Sequence, residues 1–91
     1  MHSIAVHPGK VLMDELEERG ITQSALAEHI GVLSKSVNEI CRGKRGISAE
    51  MAVKFSLALG ASPQFWLNLQ KNWELGQVNR RLLKRIKPLA A

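Results

Sequence analysis

Ninety-one residues, 45% of them hydrophobic, suit one compact domain that buries roughly two-thirds of its unfolded surface. A formal charge of +5 points to a polyanion or an acidic protein as partner. A single cysteine excludes an intramolecular disulfide framework, and no apolar run approaches the roughly eighteen residues that span a bilayer.

The charge is uneven along the chain. Residues 1–31 carry two Lys/Arg against five Asp/Glu, residues 32–54 five against two, and residues 55–91 six against one. The first segment, MHSIAVH, has no helical period and reads as an arm over residues 1–7. With no basic n-region and no long apolar h-region, it suggests a cytoplasmic chain rather than an exported one. Pro8 suits the first turn of a helix, where its missing N–H costs nothing. That first helix is expected to run to Arg19 and to end at Gly20, with Leu12 and Leu16 inward and Asp14, Glu15, Glu17 and Glu18 solvated.

Residues 23–40, QSALAEHIGVLSKSVNEI, place small and apolar residues where two short helices crossing at a tight turn need them. Thr22 is the expected cap of helix two. Ala27 faces the next helix at close approach, and Gly31 sits where the chain must reverse with positive φ. Val37 and Ile40 pack helix three, which starts near Ser34 and stops before Gly43, down on helix two. That leaves Ser34, Lys35, Ser36, Asn38 and Glu39 facing outward. Short hydrogen-bonding side chains of this kind are what base edges in a major groove require, and Asn38 is the best adenine reader among them. The motif, residues 22–41, therefore reads as a DNA-binding module for double-stranded DNA.

The loop RGKRGI, residues 42–47, brings Arg42, Lys44 and Arg45 beside that face, with phosphate contact as its expected use. Ser48 caps helix four, which buries Ala52, Phe55 and Leu59 and closes at Gly60. Ser62 and Pro63 open helix five, which is expected to give way by Gly76. Phe65, Trp66, Leu69 and Trp73 recur on it at helical spacing. Such a stripe commonly completes a core, but its weight on one terminal helix favours a homodimer seam, which would supply the two-fold symmetry that paired half-sites need. In residues 76–91, Val78, Leu82 and Ile86 are four apart among Arg80, Arg81, Lys84, Arg85 and Lys87, the pattern of a short basic amphipathic helix ending before Pro88. Extra phosphate contacts, a dock for a partner and a disordered remnant are its three possible uses.

The expected architecture is thus all-α, five helices over residues 8–75 with a short basic C-terminal tail. The chain resembles the Xre, lambda-repressor-like helix-turn-helix family. Residues 38–75, NEICRGKRGISAEMAVKFSLALGASPQFWLNLQKNWEL, resemble the HigA/VapI antitoxin branch, and the FWLNLQ run is more specific than the helix-turn-helix itself. The resemblance implies a dimer that represses its own operon and neutralises a HigB-like toxin of the RelE type, a small basic ribonuclease cutting mRNA at the ribosome. It further implies that Gln23 bonds a backbone phosphate, that Ser34, Lys35, Ser36 and Asn38 face the groove, and that Arg42, Lys44 and Arg45 form the following contact loop. Glu39 can accept from cytosine N4 or hold Lys35 in an i,i+4 pair. The alternatives are a stand-alone regulator of the same fold, or a helical protein-interaction module.

His2, His7, His29 and Cys41 share no ligand spacing, so neither a metal nor another cofactor is expected. Asp14 and Glu15 are adjacent carboxylates, but they lie on a solvated helix face without a nucleophilic or basic neighbour. No catalysis is expected of them.

Overall fold

The computed structural model describes residues 5–90, so the expected arm is seen only from Ala5, and His2 lies outside the described residues. Within that range the chain forms α1 (Pro8–Arg19), α2 (Gln23–Ile30), α3 (Ser34–Cys41), α4 (Ala49–Leu59) and α5 (Pro63–Gln77), followed by one 3-10 turn over Arg80–Leu83. No described residue lies in a strand. None of the described helices is long and apolar enough to cross a membrane.

The helix ends follow from local chemistry. The hydroxyls of Thr22, Ser48 and Ser62 accept from the amides of Ala25, Met51 and Phe65, satisfying donors that a helix start leaves free. Gly20 and Gly31 close α1 and α2 in the left-handed region, with φ of 66° and 73°. Before Pro8, the His7 ring does the capping, its Nδ1 accepting from the Gly9 amide at 2.9 Å.

α2 packs on α3 and α4, α1 crosses α3 and α5, and α4 lies against α5. Leu12, Leu16, Leu26, Ala27, Val37, Ile40, Phe55 and Trp66 are the centre of the single buried cluster. Cys41 also belongs to it, and burial pushes its thiol pKa up and keeps it protonated. At the crossing of α1 and α3, a Cβ on Gly9 would overlap the Ile40 carbonyl and come within 3.0 Å of the Cys41 Cα. The two backbones touch there because no side chain intervenes. Arg19 ties α1 to α4 by donating from its guanidinium to the Leu59 carbonyl at 2.6 Å.

Two expectations are corrected at the C-terminal end. α5 continues through Gly76 to Gln77, and the glycine serves a close approach instead of a stop, since a Cβ there would lie 2.9 Å from that of Ala5. The basic tail forms no α-helix: only the turn at Arg80–Leu83 is ordered as 3-10, and every residue from Glu74 to Ala90 is exposed. Its apolar residues face no neighbour that would reward helix formation. The molecule measures 53 × 24 × 23 Å with a radius of gyration of 16.0 Å, against about 12 Å for a compact chain of this length.

Candidate nucleic-acid interface

The geometry of the α2–α3 pair begins with its buried residues. Ala27 is 1% exposed and Val37 and Ile40 are fully buried, so α3 is held on α2 by one face alone. The turn between them is fixed by the Val32 amide, which donates to the Ala27 carbonyl at 2.9 Å, and by the Gly31 amide, which donates to Glu28. Gly9 presses on the same helix from the other side. A single polar face remains for solvent.

On that face Ser34, Lys35 and Asn38 are exposed, while Ser36 and Glu39 are half-buried. Asn38 Nδ2 donates to Gln23 Oε1 at 3.0 Å, joining the start of α2 to the middle of α3. The pair keeps Asn38 Oδ1 as acceptor and Gln23 Nε2 as donor for a ligand. The Ser34 hydroxyl lies 3.4 Å from that of Ser24 and caps no helix, since the α3 N-cap is Leu33, which has no side-chain bond to give.

Glu39 departs from expectation. It pairs with Arg45 instead of Lys35: the Arg45 guanidinium reaches Glu39 Oε1 at 2.8 Å, and the Glu39 carbonyl accepts from the amides of Lys44 and Arg45. The loop folds back on the end of α3, where its backbone donors meet a carbonyl that the helix leaves free. Arg45 is thereby half-neutralised. Arg42 and Lys44 stay exposed, and among the described residues no carboxylate lies within 4 Å of the charged ends of Lys35, Arg42 or Lys44.

Gln70 of α5 anchors the far end of the loop. Its buried Oε1 accepts from the Ile47 amide at 2.8 Å and its Nε2 donates to Glu74, while Gly46 lies so near that a Cβ would come within 2.9 Å of the amide. In the sequence the one signal for Gln70 is its place at the end of the FWLNLQ run. His7 was also missed as a cap, although Pro8 at the first helical position already made residue 7 the capping position.

The stripe on α5 divides. Trp66 is 1% exposed and packs edge-on against Phe55 and Phe65 at 5.3 Å each, so it belongs to the core and cannot form part of a dimer seam. Trp73 is half-buried against the His7 ring at 4.8 Å, Leu69 is half-buried, and Phe65 is 42% exposed. Helical spacing gave the stripe but not which part of it the rest of the chain covers.

A helix-turn-helix family model matches residues 12–66, which takes in the α2–α3 pair and the packing around it. The chain belongs to the helix-turn-helix family. Within that family it groups with the Xre-type, HigA-like branch. It is similar to antitoxin HigA-1 of Vibrio cholerae serotype O1, 40% identical over 88 residues that cover 92% of this chain and 83% of that protein. It superimposes on the Pseudomonas aeruginosa antitoxin HigA with the higBA promoter at a TM-score of 0.86, with 39% identity, over 96% of this chain and all of the other. The antitoxin GraA in complex with its operator also gives 0.86, with 35% identity, over all of this chain and 97% of the other.

Proposed function

We propose that this chain is a dimeric, sequence-specific DNA-binding repressor that serves as the antitoxin of a HigB-like toxin, acting in the cytoplasm with no chemistry or cofactor of its own. The observation that carries the reading is the exposed Gln23–Asn38 amide pair on the polar face of α3. It has the donor and acceptor needed to read a base edge, beside exposed cations at Lys35, Arg42 and Lys44 that suit phosphates. Two of the similar solved structures are antitoxins bound to operator or promoter DNA, and this supports the same use here.

A monomer offers one such face. Operators read by this motif repeat it one helical turn, about 34 Å, further on, so a two-fold dimer is the economical assembly. Phe65, Leu69 and Trp73 are the α5 residues left for that seam. For the toxin, the exposed carboxylates Asp14, Glu17 and Glu18 on α1 suit a basic partner.

Retardation of a duplex from the chain's own upstream region tests the DNA half. Asn38→Ala should weaken specific binding about 5- to 150-fold, the equivalent of 1–3 kcal/mol, and leave non-specific binding unchanged. Equal binding by the parent chain to every sequence tested, or specific binding by the variant as tight as the parent's, would sink the reading. The toxin half is tested by co-purification with the product of the neighbouring reading frame, and a frame with no small basic protein leaves a stand-alone regulator.

A further inference from the structure

We infer that Leu33 is a specificity residue that reads the C5-methyl group of a thymine in the major groove; the inference rests on the DNA-binding reading above. Leu33 is the N-cap of α3, with extended φ and ψ of −74° and 142°, a position where Ser, Thr, Asp or Asn would satisfy a free amide. Each of the three other α-helices preceded by a hydroxyl residue at this position uses it in that way. α3 alone places a leucine there, with no side-chain bond, and leaves it 73% exposed.

The choice therefore leaves the helix start without a side-chain cap and the apolar group unburied. Nothing inside the chain makes up for either, for Leu33 lies outside the buried cluster. Its location says what can do so. It stands at the leading end of the recognition helix, on a shallow concavity with Ser24, Ala25, Glu28, Val32 and Ser34, and immediately before Ser34 and Lys35. Residues at the start of such a helix are the ones that reach base edges. Of the groups in the major groove, only the thymine methyl is apolar, and an aliphatic side chain is its complement. The Gln23–Asn38 amides cannot supply this contact, because they are polar throughout. Together the two features divide the reading of a half-site between hydrogen bonds and one apolar contact.

The test uses the full chain and a duplex that it selects from a random pool. Each thymine of that duplex is replaced in turn by uracil, which keeps the pairing and the O4 acceptor and lacks only the methyl. One replacement per half-site should weaken binding roughly three- to fivefold, the value of one buried methyl. Leu33→Ser should bind the thymine and uracil duplexes alike at that position, while Leu33→Met should keep the discrimination. Serine restores a side-chain cap, so a melting temperature equal to or above the parent's shows that the fold is intact. Selection of no sequence at all would overturn the DNA-binding reading. Selection followed by indifference to every uracil, by the same discrimination in Leu33→Ser, or by loss in that variant only of binding to a protein partner, would overturn the thymine contact alone.

Discussion

Asn38 and Gln23 lie fifteen residues apart in the chain and share one hydrogen bond, 3.0 Å long, on the exposed side of the molecule. The bond sets the rotamer of both amides before any ligand arrives. Whatever Asn38 contacts, it contacts with an orientation chosen by α2.

Gln23→Ala should therefore weaken specific DNA binding even if Gln23 itself touches only a phosphate. In a double-mutant cycle with Asn38→Ala, the coupling should be about 0.5–2 kcal/mol, because the two residues act as one unit. Additive losses in a titration of the four proteins would show that the pair has no joint role.

Glu39 holds Arg45 at 2.8 Å, with the carboxylate 28% and the guanidinium 50% exposed, so the ion pair adds little to stability. Its consequence is electrostatic. Glu39→Gln should release Arg45 toward phosphate, raise non-specific affinity, and steepen the slope of log K against log salt by about 0.9 if one phosphate contact is gained. Arg45→Ala should lower non-specific affinity less than Lys44→Ala does. Binding isotherms across a salt series separate these cases.

Gly9→Ala should destabilise the fold through the α1–α3 crossing. The added methyl would overlap the Ile40 carbonyl, a backbone atom that cannot swing aside. Overpacking of this kind costs about 1–3 kcal/mol or more, which for a domain of this size lowers Tm by on the order of 10 °C. Thermal unfolding followed by circular dichroism measures it. An unchanged Tm would mean that α1 can slide along α3.

His7 accepts from the Gly9 amide through Nδ1, and burial against Trp73 holds its pKa below the ordinary value of about 6.5. The folded state thus binds a proton less readily than the unfolded state does. The cap's contribution is complete above pH 6.5 and is lost as pH falls through that value toward the lower folded pKa. His7→Ser, which keeps a capping oxygen, should remove this part of the pH dependence. Urea unfolding of both proteins between pH 5 and pH 8 checks it.

The parts of this fold that sequence made legible are those governed by neighbours along the chain. Thr22, Ser48 and Ser62 declare helix starts, and Gly20 and Gly31 declare ends, because capping and positive φ are decided within four residues. The spacing of Ala27, Val37 and Ile40 gave the crossed helices because the short turn over residues 31–33 leaves α2 and α3 no other neighbour so near. What escaped depends on approach between distant segments. Gly9 was indistinguishable from any glycine near a helix start until Ile40 was brought against it. Lys35, one turn away, was the only side-chain partner that periodicity offered Glu39, because Arg45 lies across a loop whose path the sequence does not fix.

The candidate site divides in the same way. The polar face of α3 was legible from periodicity, but the joining of Asn38 to Gln23 and the support that Gln70 gives the loop were not. Trp66 and Phe65 are adjacent in sequence and opposite in fate, since one faces α4 and the other faces water. The i,i+4 pattern of Val78, Leu82 and Ile86 suggested a helix that only a surface to lie on would have stabilised.

The projecting tail also governs how this chain will behave on a sizing column. Its long axis, 53 Å, is more than twice either short one, and an elongated particle drags like a heavier sphere. A single copy will elute ahead of a compact sphere of equal mass. Stoichiometry is therefore best read by light scattering or native mass spectrometry, which weigh the particle whatever its outline.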